Sequence, residues 1–218
     1  MSQDVATVLL GDPFAVMNTI GLVAFAFVGA SKGIDEEFDL FGIAIVGLAM
    51  AFAGGVTRDL LVMRVPLALQ SPIEIGLGLL GILLAILLSI ALSSPERHPV
   101  TVISDAIGLA AFATTGAIVA TEAGISALGI IAVAMINAAG GGAFADILLD
   151  RSPFILFEDF YASCAVLGGI SYWLVGPVGG LEGMAAAACA TITVMTRLIA
   201  VSYGWSLPTA QDLERLRA

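Results

Sequence analysis

The segment Asn18-Thr-Ile-Gly-Leu-Val-Ala-Phe-Ala-Phe-Val-Gly-Ala30 returns, 87 residues later, as Asp105-Ala-Ile-Gly-Leu-Ala-Ala-Phe-Ala-Thr-Thr-Gly-Ala117. The correspondence continues without a gap, so that Asn18 to Pro66 matches Asp105 to Pro153. Small residues, together with Asp, Arg and Pro, repeat more faithfully than large apolar ones. Because lipid-facing positions accept any large apolar side chain, this bias indicates repeated backbone geometry and close helix contact.

The composition is that of a helical membrane protein. Hydrophobic residues make up 59% of the chain, charged residues make up 12%, and the mean hydropathy is +1.05. Such values are far more apolar than those of a soluble domain of this length. A transmembrane barrel would show short segments of alternating polarity, which the sequence lacks. We therefore expect an all-α membrane protein.

Seven apolar stretches are long enough to cross a hydrocarbon core about 30 Å thick. They lie near residues 13–33, 38–63, 72–93, 101–121, 125–149, 158–176 and 180–203. Proline, glycine and charged residues separate them. We expect a single transmembrane domain over residues 1–218.

The repeat covers three helices, an odd number, so its second copy must enter the membrane from the opposite side. The sequence therefore predicts two inverted three-helix repeats, at about 13–93 and 101–176. A seventh helix at about 180–203 and a short tail, 204–218, follow them.

Basic residues predict the orientation. One side of the predicted bundle carries only Arg58 and Arg64. The other side carries Lys32, Arg97, Arg151, Arg197, Arg215 and Arg217. Positively charged loops stay inside, so we expect a cytoplasmic C-terminus and an N-terminus outside the cell membrane.

The second helix of each repeat contains a glycine motif, Ala53-Gly-Gly-Val-Thr-Arg-Asp59 and Gly140-Gly-Gly-Ala-Phe-Ala-Asp146. Adjacent glycines cost about 1 kcal/mol each in a helix interior. Either Gly54, Gly55, Gly140, Gly141 and Gly142 allow close packing of helices two and five, or they kink these helices beside an aqueous path.

The aspartates of the motifs have two interpretations. If the glycines interrupt the helices, Asp59 and Asp146 fall in the first turn of the downstream segments. With Arg58, they would then shape the electrostatics of a cation path, because carboxylates offset the positive helix ends. Ordinary helix capping explains the same aspartates equally well.

Polar uncharged side chains at mid-membrane depth belong mainly to the second repeat, as Thr114, Thr115 and Asn137. The matching first-repeat positions are Phe27, Val28 and Met50. One interpretation is hydrogen bonding between or within helices. The other is a lining or gate of a permeation path.

Catalytic and metal-binding motifs are lacking. The chain has no HExxH, no GxSxG and no phosphate loop, and its single histidine, His98, has no second His or Cys at ligand spacing. Cys164 and Cys189 lie in apolar runs, as buried small hydrophobes do. We expect no enzyme activity, no cofactor, no bound metal and no nucleic-acid partner.

With these residues the chain resembles the trimeric intracellular cation (TRIC) channel family, as a prokaryotic member. The motifs Ala53-Gly54-Gly55 and Gly140-Gly141-Gly142, the repeats and the seventh helix carry the resemblance. The form Gly54 to Asp59 is also similar to small bacterial membrane proteins described as glycine transporters.

The resemblance implies a homotrimer in membrane lipid, with a potassium-permeable pore in each subunit lined by kinked helices two and five. Sodium remains an alternative permeant ion. The sequence departs from the family pattern at Ala53 and Ala145, and helix four carries no basic residue. A secondary transporter of glycine or another small solute, and a structural membrane protein, remain alternatives.

Overall fold

The computed structural model describes residues 11–90, 96, 98–156, 160–176 and 182–207. Within these residues the fold is all-helical. The helices are α1 (Pro13–Asp35), α2 (Leu40–Leu61), α3 (Pro72–Ser89), α4 (Pro99–Glu122), α5 (Ala127–Leu148), α6 (Ala162–Val175) and α7 (Glu182–Tyr203). Short 3-10 turns at Leu67–Leu69 and Phe154–Leu156 follow α2 and α5. The predicted fold class is confirmed.

Local sequence signals start the helices. Asp12 precedes Pro13 and accepts hydrogen bonds from the backbone of Phe14 and Ala15. Asp39 caps α2, and the repeat-related Ser126 caps α5 in the same way. Each such cap is worth about 1 kcal/mol because it satisfies backbone donors that the helix leaves open.

Six of the helices in the described residues are long and apolar enough to cross a membrane. The exception is α6, whose 14 residues extend about 21 Å at 1.5 Å per residue. Its predicted span began at residue 158, but α6 starts at Ala162, and residues 157–159 lie outside the described part of the chain. The predicted tail likewise lies mostly outside it, from residue 208 onward.

Helices α1 and α4 form the centre of the bundle, because they are the most buried and contact most of the other helices. Helix α1 packs against α2, α3 and α4, whereas α4 packs against α1, α5, α6 and α7. The outer faces of α2 and α3 expose large apolar side chains, as lipid contact requires.

The repeat is visible in reciprocal contacts across the centre. A Cβ atom added at Gly21 would overlap the Phe112 ring, and one added at Gly108 would overlap the Phe25 ring. The two contacts are repeat equivalents, because Gly21 matches Gly108 and Phe25 matches Phe112 at the offset of 87 residues. The two rings meet edge to face, with centroids 5.1 Å apart, which is a favourable aromatic geometry. The duplication therefore builds one interface from two equivalent halves.

Candidate functional site

The glycine motifs lie where α2 contacts α5. A Cβ atom at Gly54 would lie 3.1 Å from the Asn137 carbonyl carbon and closer still to its oxygen. At Gly141 it would stand in the same relation to Met50. Gly54 and Gly141 are repeat equivalents, as are Met50 and Asn137. Glycine is required at both positions because the backbones of the two helices touch there.

The other glycines of the motifs are less constrained. At Gly55 an added Cβ would meet only the Arg58 side chain, at 3.8 Å. At Gly140 the nearest atom is the Gly54 Cα, at 3.4 Å, and at Gly142 it is a ring carbon of Phe154, at 3.2 Å. Close packing therefore accounts most directly for one glycine in each motif.

Of the two interpretations of the glycine motifs, the one that interrupts the helices is not what the structure has. Helices α2 and α5 run as single α-helices through both motifs. Asp59 and Asp146 consequently lie in the last turns of whole helices, and not in the first turn of a downstream segment, where the interpretation with interrupted helices would place them. Carboxylates near a helix C-terminus oppose the helix dipole, so each needs stabilising partners.

Backbone amides supply one partner for each aspartate. Asp59 Oδ2 accepts a hydrogen bond of 2.9 Å from the Leu67 amide, and Asp146 Oδ2 accepts one of 3.1 Å from the Phe154 amide. Leu67 and Phe154 begin the 3-10 turns that follow the helices. The repeated aspartates therefore hold the chain reversals at opposite ends of the bundle.

Basic side chains supply the second partner, but from different places in the two repeats. Arg58 Nη2 lies 2.8 Å from Asp59 Oδ1 and comes from the neighbouring residue of α2. Lys32 Nζ lies 2.6 Å from Asp146 Oδ1 and comes from α1, in the other repeat. Both pairs are buried, so the charges must neutralise each other.

A cavity of about 570 Å³ opens beside the Lys32 pair. We call it the Lys32 cavity. It is lined by Val28, Lys32, Glu96, Thr101, Val102, Asp105, Asp146, Arg151, Ser152, Phe154 and Arg197. Three of these side chains are acidic and three are basic.

A second cavity, of about 400 Å³, opens beside the Arg58 pair, and we call it the Arg58 cavity. It is lined by Phe14, Arg58, Asp59, Arg64, Val65, Leu67, Gln70 and Val119. Six of these eight positions are repeat equivalents of positions lining the Lys32 cavity: Phe14/Thr101, Asp59/Asp146, Arg64/Arg151, Val65/Ser152, Leu67/Phe154 and Val119/Lys32. The repeat therefore generates both cavities.

The two cavities lie at opposite ends of the central helices. On α1 they are marked by Phe14 and Lys32, and on α4 by Val119 and Thr101. Each pair is 18 residues apart, which corresponds to about 27 Å along a helix. This separation approaches the thickness of the hydrocarbon core, about 30 Å.

Between the cavities lies a buried polar pair. Asn137 Nδ2 donates hydrogen bonds to the Thr115 hydroxyl, at 2.9 Å, and to the Phe112 carbonyl, at 2.6 Å. Asn137 Oδ1 is buried without a hydrogen-bond partner. A buried carbonyl oxygen that is left open costs free energy, so this atom is able to receive a donor or a cation.

Thr114 belongs to a different environment. Its hydroxyl donates to the Ala110 carbonyl of its own helix, at 2.9 Å. Across the helix interface Thr114 contacts the side chain of Cys189, which belongs to α7. The structure therefore separates Thr114 from Thr115 and Asn137, although the sequence had grouped the three.

Among the described residues, no group of three or more His, Cys, Asp or Glu side chains is suited to hold a metal ion. Carboxylates in both cavities are instead matched with Lys or Arg.

Sequence comparison finds the repeat independently. A family model described as Glycine transporter matches twice, over residues 15–89 and 102–177. A UPF0126 membrane protein of Deinococcus radiodurans is 34% identical over 174 residues, covering 78% of this chain and 80% of that protein. The UPF0126 membrane protein YvgT of Bacillus subtilis is 34% identical over 195 residues, covering 88% and 94%.

Solved structures share the whole architecture. One, solved to explain conductance through TRIC cation channels, has a TM-score of 0.82 and 32% identity over 89% of this chain and 95% of its own. The chain belongs to the TRIC channel family. The TRIC orthologue from Rhodobacter sphaeroides has a TM-score of 0.81 and 26% identity, covering 88% of this chain and 98% of its own.

Sequence reasoning missed two polar pairs of this TRIC-family chain, one buried and one partly buried. Asn18 Nδ2 donates to Glu74 Oε1 at 2.9 Å, and the Tyr161 hydroxyl donates to Asp105 Oδ1 at 3.0 Å. Arg197 also contacts Asp105, at 3.7 Å. At the repeat offset Asn18 matches Asp105 and Glu74 matches Tyr161. Both positions are polar in each repeat, although the residue types differ, and this shared polarity was the signal in the sequence that could have revealed the two pairs.

The arginines at the helix ends of this TRIC-family chain connect the repeats. Arg64 Nη1 pairs with Glu122 at 3.0 Å, beside the Arg58 cavity. Its repeat equivalent, Arg151, pairs with Glu36 and Glu96 beside the Lys32 cavity. All three contacts are partly exposed, which makes them weaker than the buried Lys32–Asp146 and Arg58–Asp59 pairs.

Proposed function

We propose that this TRIC-family chain is a monovalent cation channel that conducts K⁺ through a path within each subunit. The observation that carries the proposal is the pair of repeat-related cavities at opposite ends of α1 and α4. A channel needs aqueous access from both faces and a short constriction between them. The α2–α5 contact and the Thr115–Asn137 pair occupy that intermediate position.

Helix dipoles favour cations at both cavities. The C-terminal ends of α1 and α5 meet the Lys32 cavity, and those of α2 and α4 meet the Arg58 cavity. Only one helix, α4 in the first case and α1 in the second, directs its N-terminal end there. Since helix C-termini carry partial negative charge, the helix dipoles at each cavity stabilise a cation more than an anion.

The proposed path residues follow from this geometry. Gly54 and Gly141 bring the backbones of α2 and α5 together, and Gly55, Gly140 and Gly142 leave the adjacent positions without a side chain. Asn137 and Thr115 supply polar atoms at the centre, and the open Asn137 Oδ1 is the atom best suited to meet a partly dehydrated cation. Selectivity of K⁺ over Na⁺ is expected to be weaker than in a carbonyl-cage filter.

We further propose a homotrimer with the Lys32 cavity on the cytoplasmic side and the N-terminus outside. The orthologue from Rhodobacter sphaeroides is described as a trimeric channel, and basic residues concentrate at the Lys32 end. Native mass spectrometry of the purified protein tests the assembly. A monomer or dimer as the main species would contradict the trimer.

A secondary transporter of glycine or another small solute is the second candidate, favoured by the description of the matching family model. Two cavities related by an inverted repeat also suit alternating access.

Single-channel recording in planar bilayers separates the two functions. Unitary K⁺ currents without any solute gradient are expected for the channel. Saturable glycine uptake into proteoliposomes, with no unitary currents from the same preparation, would instead support the transporter. Asn137→Leu should reduce the currents because it fills the centre with an apolar side chain.

A further inference from the structure

The Lys32–Asp146 pair differs from its counterpart at the other cavity in how it is built. Asp59 is neutralised by the preceding residue of the same helix, Arg58, which also lies over the Phe14 ring at 5.4 Å. Asp146 is neutralised across the repeat boundary by a side chain from α1. The Arg58 guanidinium stays beside Asp59 because the two residues are adjacent in the chain. The flexible Lys32 side chain comes from another helix and can move away from Asp146 without unfolding either helix.

The repeat equivalents show that the difference is specific. The position matching Lys32 is Val119, and the position matching Arg58 is Ala145. Each aspartate therefore has one basic partner, from a site that is apolar in the other repeat. Only the cation beside Asp146 is a primary ammonium, a compact charge that mimics a hydrated alkali-metal ion better than a guanidinium does.

The surroundings of the Lys32 ammonium are those of a cation site. Asp146 holds it at 2.6 Å, the Phe154 ring centroid lies 5.2 Å away, and Asp105 interacts electrostatically with both Lys32 and Asp146. Among the lining residues the basic and acidic charges balance. Removal of the ammonium would leave one uncompensated carboxylate beside an open cavity.

We propose that Asp146 is a cation-binding site in the floor of the Lys32 cavity, and that the Lys32 ammonium is its resident, exchangeable occupant. The inference rests on the proposed function, because the exchanging ions are the permeant ones. A monovalent ion entering the cavity displaces the ammonium from Asp146, and the ammonium returns when the ion leaves. Its nearby positive charge repels a divalent cation about twice as strongly as a monovalent one. Lys32 thereby sets a preference for monovalent ions.

Lys32 is the only lysine in the sequence, which gives a direct test on the unaltered protein. An amine-reactive reagent modifies a free amine, so it reports how often the Lys32 ammonium leaves Asp146. Modification of Lys32 is measured by mass spectrometry in K⁺ and in N-methyl-D-glucamine at equal ionic strength. The organic cation controls for screening, and the α-amino group of the chain controls for reagent reactivity.

K⁺ and the Lys32 ammonium compete for Asp146, and the tethered ammonium has an effective concentration of millimolar or above. High K⁺ is therefore needed to displace it, and there the modification rate of Lys32 should rise at least about twofold. Asp146→Asn should raise the rate in both solutions and remove the K⁺ dependence. Equal modification rates in K⁺ and in N-methyl-D-glucamine for the unaltered protein would contradict the proposed exchange and would show that Lys32 has only a structural role. This readout requires no current, so it is independent of whether the chain proves to be a channel.

Lys32→Met retains the apolar stem and removes the charge, and it tests the consequence for ions. Ca²⁺ added on the side of the Lys32 cavity should block K⁺ current at a concentration at least about tenfold lower than in the unaltered protein. Lys32→Arg, which restores a positive charge, should return the block toward its original concentration. Unchanged Ca²⁺ block in Lys32→Met would contradict the selectivity role. If that variant does not assemble, Lys32→Gln is measured in its place.

Discussion

Gly54→Ala and Gly55→Ala are a matched pair that tests whether the glycine motif is a packing contact. Both substitutions add one methyl group to the interior of α2, and both gain about 1 kcal/mol of helix propensity. Their surroundings differ. The new methyl at position 54 meets the Asn137 carbonyl of α5, whereas the one at position 55 finds only the Arg58 side chain at 3.8 Å.

The magnitude follows from the distance that α2 and α5 must move. A Cβ atom at position 54 would approach the Asn137 oxygen to well under 3.0 Å, and the obstacle is backbone, which cannot rotate away. Overpacking of this kind costs about 1 to 3 kcal/mol. Because the propensity gain is common to both variants, their difference isolates the steric cost.

The assay is thermal unfolding of the purified full chain in one detergent. At about 2 to 4 °C per kcal/mol for a chain of this size, Gly54→Ala should unfold roughly 2 to 12 °C below Gly55→Ala. Gly141→Ala should behave like Gly54→Ala, since it meets the Met50 carbonyl in the same way. Equal midpoints for Gly54→Ala and Gly55→Ala would refute the packing interpretation.

Two further predictions concern the polar contacts. Thr115→Val should lower stability by about 1 kcal/mol and alter channel open probability, because it removes an acceptor of Asn137, whereas Thr114→Val should change the open probability little. Equal single-channel effects of both variants would contradict the separation of these threonines. In a double-mutant cycle, Arg64→Gln and Glu122→Gln should couple by less than about 1 kcal/mol, decreasing with salt, because both side chains are half-exposed. A larger coupling energy that does not change with salt would contradict this expectation and show that the Arg64–Glu122 ion pair is a rigid contact.

Much of the architecture could be predicted from the sequence, because its determinants are local or repeated. Hydropathy gave the spans, and the offset between Asn18 and Asp105 gave the inverted repeat. The predicted span near residues 158–176 starts before α6, because the aromatic residues Phe160 and Tyr161 precede the helix that begins at Ala162. Composition identifies what can enter lipid but does not determine where helical hydrogen bonding ends.

The glycine motifs show the limit of reading a backbone from residue types. Two adjacent glycines are compatible with a break and with a tight contact. The deciding fact is the position of the Met50 and Asn137 carbonyls on the opposite helix. Similarly, Asp59 and Asp146 gave no indication from spacing alone that they close the turns at Leu67 and Phe154.

Long-range partners were the hardest to predict. Lys32 counted only as a loop charge in the sequence, yet it reaches 114 positions along the chain to Asp146. Glu74 in the first turn of α3 received no role until its contact with Asn18 was visible. In both cases the partner depends on how α1 packs against helices distant in sequence. The repeat offset could have identified Glu74, because its equivalent, Tyr161, has a hydrogen bond of its own, to Asp105. It could not have identified Lys32, whose equivalent is Val119.

The central claim is that one path joins the Lys32 and Arg58 cavities within a subunit. Ser152 and Val65 are repeat equivalents that line the two cavities, and both are exposed, whereas the native Cys164 and Cys189 are buried. The most direct test is K⁺ current through single channels carrying Ser152→Cys or Val65→Cys during exposure to a positively charged thiol reagent. We expect the reagent to reduce the current of each variant from one side only, and from opposite sides for the two. Full modification of both cysteines without any change in current would contradict the path.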